Sequence, residues 1–222
     1  MDIKKLEKLV EWGRMKFKAK KSRSVVIQKG KVEDKYQFKI QGELIPSLKD
    51  QPVKSLGKWY FKSLNDRENI RMFVEQVKDG LKKIEETGLP GKYKVWMLHH
   101  GLVPKIRWPM MLYEISMTTI EATGRKVSSM IKKWLGIPRS MSAVGLYSTS
   151  SKLQLPFVSL EEEFKVAKTG TALSIRESKD KKVAEAGVVQ STGRKWSATE
   201  AIKAAEARLR QEEIGGIICH GK

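Results

Sequence analysis

The hydrophobic period of the chain changes along its length. Ile3, Leu6, Leu9 and Val10 recur at helical spacing and stop at Gly13, which predicts a short amphipathic helix over residues 3–12. Residues 24–27 and 35–41 are rich in β-branched and aromatic side chains, and the second segment alternates polar and apolar positions. With Lys29-Gly30-Lys31 between them, they predict a β-hairpin with one buried face. Ile45-Pro46 interrupts it, and residues 53–60 predict a further short strand bent at Gly57.

After residue 64 the period becomes helical. Ile70, Phe73, Val74, Val77, Leu81 and Ile84 lie between an Asn65-x-x-Glu68 capping box and a Gly88-x-Pro90 stop. A second apolar segment, from Tyr93 through Trp96, Leu98, Val103 and Ile106 to Trp108, reads as buried and as broken at Pro104 and Pro109. Thr118-x-x-Glu121 then opens a helix carrying Ile120, Gly124, Val127, Ile131 and Trp134 that closes at Gly136-Ile137-Pro138. Three such helices make a small bundle. Beyond Arg139 the chain is polar and loop-like until Ser159-x-x-Glu162 opens a helix bearing Leu160, Phe164 and Ala167. Ser197-x-x-Glu200 opens a last one with a narrow stripe of Ala201, Ala204, Ala205 and Leu209. The expected fold class is α+β: a basic helix and β-hairpin over 1–62, a helical bundle over 63–138 and a basic helical extension over 139–222.

Composition narrows the class of partner. Of 222 residues, 40% are hydrophobic, enough for a core and too many for a disordered polycation. Lys plus Arg number 44 against 25 Asp plus Glu, a formal charge of +19 with a pI near 9.9. A folded surface of that sign gains by releasing counterions condensed on nucleic acid, so a polyanion is the expected partner. The single cysteine, Cys219, makes no internal disulfide, and His99, His100 and His220 lack metal-ligand spacing, which excludes disulfide scaffolds and zinc fingers. No run reaches the ~18 apolar residues of a membrane span, and Met1-Asp2-Ile3-Lys4-Lys5 is a charged start, so no membrane role and an intracellular, nuclear or cytoplasmic, location are expected.

Candidate catalytic chemistry is sparse. No Asp-Asp pair, phosphate loop, Gly-x-Ser-x-Gly elbow or His-Glu-x-x-His occurs. Asp34, Asp50, Asp66, Asp79 and Asp180 are scattered, each within two residues of a lysine or arginine, and read as solvated or capping residues. His99-His100 lies in an apolar stretch with no acidic partner nearby in sequence and reads as packed. The positive signal is basic residues interleaved with aromatics, because lysines meet phosphates while an aromatic face stacks on a base or sugar. Lys16, Lys18, Lys20, Lys21 and Arg23 surround Phe17; Lys54 and Lys58 flank Trp59 and Tyr60; Lys132 and Lys133 adjoin Trp134, whose regular helical position favours a core role.

The order of these motifs resembles a known family. Trp12, Met15-Lys16-Phe17, Lys20-Lys21-Ser22-Arg23-Ser24-Val25-Val26-Ile27, a hairpin, and then Pro52-Val53-Lys54-Ser55-Leu56-Gly57-Lys58 look like the stretch that follows the catalytic aspartates in non-LTR (LINE-type) retrotransposon reverse transcriptases. Leu89-Pro90-Gly91-Lys92-Tyr93-Lys94 and Trp134-Leu135-Gly136-Ile137-Pro138 are similar to that family's thumb and its extension. The resemblance implies that Lys16, Lys18, Lys20 and Lys21 sit toward nucleotide or template phosphates. It further implies that Leu56-Gly57-Lys58 forms a primer grip, although Ser55 stands where the family more usually has an aromatic. The metal-binding aspartates and the fingers region would precede Met1, so the chain is expected to bind an RNA template and DNA primer without a catalytic site or metal of its own. Mg²⁺ is expected only for the complete polymerase, whose fingers and palm would be the missing partner. A second reading, a stand-alone basic protein that coats nucleic acid, fits the charge equally. A third, a complete enzyme with an unrecognised site, predicts primer extension by the isolated chain.

Overall fold

A computed structural model describes residues 3–29, 31–33, 36–147, 157–187 and 190–220, and the fold is α+β. It divides into two compact units, residues 1–65 and 66–222.

The first unit opens with helix α1 (Ile3–Trp12), as the apolar spacing predicts. The chain turns at Gly13 and Arg14, the latter at φ +52°. A 3₁₀ turn, Ala19–Lys21, follows. Three antiparallel hairpins come next: β1 (Val26–Gln28) with β2 (Lys31–Glu33), β3 (Lys39–Ile40) with β4 (Glu43–Leu44), and β5 (Val53–Ser55) with β6 (Lys58–Tyr60). The expected single hairpin joining 24–27 to 35–41 is therefore corrected. The second strand begins at Lys31, paired with Gln28, and the alternating segment contributes only Lys39–Ile40 to a separate hairpin; Gly30, Asp34 and Lys35 lie outside the described residues.

The physical reason is turn chemistry. The second and third hairpins have two-residue loops ending in glycine, at Gln41-Gly42 and Leu56-Gly57, and in the sequence Lys29-Gly30 separates the paired Gln28 and Lys31 of the first. Both residues of the second and third loops have positive φ, +48° and +79° at Gln41-Gly42 and +48° and +84° at Leu56-Gly57. Primed turns of this kind match the twist of the strands they join, and closing a local hairpin costs less chain entropy than pairing distant segments. Among the described residues the expected buried face is also absent. Val25 and Ile27 are exposed, and the buried apolar side chains described in the unit are Ala19, Ile40 and Leu48. A bridge between Ser24 and Ser47, with Leu48 N donating to the Ser24 carbonyl at 3.0 Å, ties the first hairpin's approach to that of the third.

The second unit is helical. Helix α2 (Arg67–Glu85) buries Phe73, Val77, Leu81 and Ile84 at the predicted spacing. Its start differs from the expected Asn65 box, because Asp66 holds the N-cap position. That carboxylate is buried, accepting from Asn69 Nδ2 at 3.1 Å and from the Glu114 amide at 2.9 Å, so Asp66 is neither solvated nor a side-chain cap. Helix α3 (Gly91–Met97), one π turn (Leu98–Leu102) and helix α4 (Val103–Leu112) run on without a break. Pro104 has no N–H to donate back to residue 100, and the wider π turn just before it absorbs that loss. Pro109 lies inside α4 and is buried. Neither proline interrupts the helical path as the sequence suggested.

Helix α5 (Met117–Leu135) is capped by Ser116, whose hydroxyl accepts from Thr119 N at 3.3 Å, two residues before the predicted cap; Gly136 closes it at φ +67°. Short α6 (Ala143–Tyr147) follows. Helix α7 (Leu160–Arg176) starts at the predicted Ser159 cap, which accepts from Glu162 N at 3.1 Å, and buries Leu160, Phe164 and Ala167. Leu160 and Phe164 belong to the same cluster as Phe73, Ile106, Ile120 and Ile131, and α7 packs on α4 and α5. Lys168 is fully buried in α7. Its ammonium donates to the Met111 and Tyr113 carbonyls at 2.9 and 2.8 Å, where α4 ends and its last carbonyls lack helical partners. Short α8 (Lys181–Ala184) and the long α9 (Ala198–His220) complete the chain; Ala204, Ala205 and Leu209 of the expected apolar stripe are exposed.

Candidate nucleic-acid interface

The first 65 residues carry 17 Lys or Arg against 7 Asp or Glu, the steepest charge imbalance of the two units. Within them, residues 16–21 alternate in environment. Lys16, Lys18, Lys20 and Lys21 are exposed, while Phe17 is half-buried and Ala19 is buried. Extended backbone at Lys18 (φ −101°, ψ 92°) leads into the 3₁₀ turn, whose hydrogen bonds run from the Lys21 amide to the Lys18 carbonyl and from the Ser22 amide to that of Ala19. A buried alanine and a half-buried phenylalanine thus anchor a segment that holds four ammonium groups in solvent. Among the described residues, none of the four meets a carboxylate at salt-bridge distance.

Arg23 has a bracing role. Its Nη1 donates to the Lys20 and Ser22 carbonyls, both at 2.7 Å, its Nε to the Gln51 carbonyl at 3.0 Å and its Nη2 to Gln51 Oε1 at 2.9 Å. These bonds hold the lysine turn against the residues that lead into β5. Beside the run, Lys8, Arg14 and Lys16 share a cleft of about 860 Å³ with Glu7, Glu11 and Glu43. Glu7 there accepts from the Gln41 amide at 2.7 Å.

The third hairpin presents Leu56 at its tip, 84% exposed and in the left-handed region. Lys54 and Trp59 are cross-strand partners, and the Lys54 ammonium lies 5.8 Å from the Trp59 ring centroid. Lys58 lies 5.7 Å from that of Tyr60. Each hairpin lysine therefore sits over an aromatic ring of its own strand pair, so the rings' near faces are occupied by cations. Gly57 supplies the second positive φ of the turn.

The other basic-aromatic group is structural. Lys133 Nζ donates to Glu85 at 2.6 Å, Trp134 Nε1 donates to the same carboxylate, and Lys132 holds the Arg139 and Met141 carbonyls. The bonds from Lys133 and Trp134 hold the Glu85 carboxyl below its usual range. His99 is half-buried against Phe157, ring centroids 5.4 Å apart, and burial pushes its pKa down, with His100 adding to the effect. The packed role expected for it fits. His100 differs: it is exposed and stacked on Trp96.

A surface that sequence reasoning missed lies on α3 and α4. Tyr93, Trp96 and Trp108, expected to be buried, are 49%, 60% and 50% exposed. Val95, Leu98, Leu102, Ile106 and Met110 take the inward positions instead. Periodicity treats aromatic residues as simply apolar, whereas their placement beside Lys92, Lys94, Lys105 and Arg107 is the signal that could have found them.

The described aspartates lie apart from one another. Asp66 is engaged by Asn69 and Glu114, Asp180 accepts from Lys182 N at 2.9 Å at the start of α8, and Asp50 and Asp79 are exposed singly. Among the described residues, no three His, Cys, Asp or Glu side chains are grouped to hold a metal, and no helix is long and apolar enough to cross a membrane. Comparison with known proteins finds no family model, no curated protein and no solved structure that matches the chain.

Proposed function

We propose that the chain binds nucleic acid as the palm end and thumb of a non-LTR retrotransposon reverse transcriptase, gripping template and primer without catalysing polymerisation itself. One observation carries this reading: four solvent-facing ammonium groups on residues 16–21, without carboxylate partners among the described residues, are tied through Arg23 and Gln51 to the Leu56-Gly57 hairpin. A phosphate backbone is the ligand such a cluster suits, because bound phosphates release counterions while the cations give up no existing ion pairs. In this reading Lys16, Lys18, Lys20 and Lys21 bind phosphates and the exposed Leu56 tip with Lys58 approaches the primer end. The motif order from Trp12 to Pro138 supports the family, and the three-hairpin unit followed by a helical bundle is compatible with it.

Changing Lys16, Lys18, Lys20 and Lys21 together to Ala is expected to weaken binding of a recessed primer–template. The salt dependence, log K against log salt, should become shallower by about 0.9 for each duplex phosphate that the variant no longer neutralises. An unchanged slope removes these residues from the interface. Competition separates this reading from a simple coating protein. A primer grip prefers the recessed primer–template over single strands of equal length, whereas a coating protein follows charge and length alone.

A further inference from the structure

We propose that the exposed aromatic and basic stripe on α3 and α4 is a stacking surface for single-stranded nucleic acid. The inference rests on the nucleic-acid reading for the class of ligand, and on these two helices alone for its place. Tyr93, Trp96, His100, Pro104 and Trp108 recur at steps of three and four residues and are all exposed, forming a stripe about 20 Å long. The π turn between the helices rotates more slowly per residue than an α-helix and so keeps Trp108 on the face of Trp96.

The centre of the stripe is already ordered. The Trp96 and His100 rings stack with centroids 4.7 Å apart and planes 13° from parallel, and His100 Nδ1 lies 3.0 Å from the Trp96 carbonyl, a bond the neutral imidazole makes by donating from Nδ1. A base landing on such a pair extends an existing stack without ordering a mobile side chain.

Charge selects the ligand. Residues 87–113 contain no Asp or Glu but hold Lys92, Lys94, Lys105 and Arg107. Lys94 is spent on the Glu85 carbonyl, and Lys92 lies 4.9 Å from the Tyr93 ring centroid. Lys105 and Arg107 are exposed beside Trp108. A protein partner would cover apolar area and has no need of helices that carry no carboxylate of their own, whereas a polyanion gains from them. A duplex buries its base faces in its own stack and offers them only at its ends. An unpaired strand exposes every one, so rings flanked by cations suit single strands.

The test is a titration of the full chain with three labelled ligands: an oligothymidine of roughly 20 nucleotides, long enough to cross one such site, an abasic strand of the same length, and a blunt duplex. Trp96→Ala is expected to weaken oligothymidine binding by about fivefold or more and to leave the abasic strand and the duplex unchanged. Trp96→Phe, which keeps a ring, should restore most of the loss, and both substitutions are at an exposed position that the core does not need. Oligothymidine binding unaffected by Trp96→Ala and by Trp108→Ala, or abasic binding weakened equally, overturns the stacking surface. Parent protein that binds the duplex but not oligothymidine overturns it too, and leaves the lysine interface standing. Binding of neither overturns both.

Discussion

Leu56 is the residue whose backbone and side chain pull in opposite directions. At φ +48° its Cβ crowds the following carbonyl, a conformation that costs an ordinary L-residue roughly 1–2 kcal/mol and that asparagine or glycine tolerates far better at the first loop position of such a turn. Its isobutyl group is 84% exposed and recovers little of that cost by burial. Backbone strain of this kind persists only where the surrounding structure holds it in place, and it clusters at binding sites. Leu56→Asn is therefore expected to stabilise the β5–β6 hairpin by about 1 kcal/mol, read as slower amide exchange at Lys58, and at the same time to weaken primer–template binding. A steadier hairpin with undiminished binding shows that Leu56 is only a strained turn residue. Arg23 illustrates the reverse. Its sequence neighbourhood offers only charge and so groups it with the binding lysines, yet its N–H groups are held by the carbonyls of Lys20, Ser22 and Gln51 and by the Gln51 side chain. Sequence spacing finds basic residues; it does not say which have carbonyls waiting for them 28 positions away.

Helices with a regular apolar period are legible in the sequence, and elements decided by local turn chemistry are not. Phe73, Val77, Leu81 and Ile84 in α2, and Leu160, Phe164 and Ala167 in α7, are buried as their spacing predicts. The Ser159 cap is readable, but α5 starts at Ser116, whose hydroxyl takes the Thr119 amide two residues before Thr118, and the N-cap position of α2 falls to Asp66, whose carboxylate is turned to Asn69 and Glu114 and caps nothing. The hairpins escape the pattern because three X-Gly doublets outweigh the alternation of residues 35–41. Contacts between helices are invisible to periodicity, and glycines mark them. A Cβ on Gly91 would land on the Trp134 carbonyl, so the start of α3 can approach the end of α5 only without a side chain. Gly170, inside α7, has open space where a Cβ would stand and no positive φ. Gly91→Ala should lower the stability of the helical unit by about 1–3 kcal/mol, since a backbone oxygen cannot swing aside. Gly170→Ala should raise it by about 0.5–1 kcal/mol through helix propensity. Chemical denaturation followed by helical circular dichroism checks both signs, and a destabilising Gly170→Ala would mean that α7 is packed differently there.

Across the whole molecule, burial and charge are divided unequally between the two units. Among the described residues, those of the second unit supply the continuous core, from Phe73 to Phe164, while the buried apolar side chains of the first are Ala19, Ile40 and Leu48. The first unit also exposes Leu9, Trp12, Met15, Ile27 and Leu44. Two- and three-residue strands around so few buried side chains give little hydrophobic stabilisation, since each fully buried aliphatic contributes only about 1.5–3 kcal/mol. The same unit concentrates 17 cations in 65 residues, whose mutual repulsion opposes compaction until a polyanion neutralises it. Binding that engages only the folded form stabilises it by mass action. Amide exchange on the full chain is therefore expected to be graded. The α2, α5 and α7 amides should exchange only on global opening of their unit, and the β1–β6 amides orders of magnitude faster. Saturating primer–template should slow exchange in the hairpins, and first around Lys18–Ser24 where the turn's own hydrogen bonds lie beneath the lysines, with less change in the α2 and α5 amides. Hairpin amides that are as protected as α2 in the free chain contradict the unequal division of stability. Hairpins that stay fast when ligand is saturating contradict residues 16–24 as the place where nucleic acid docks.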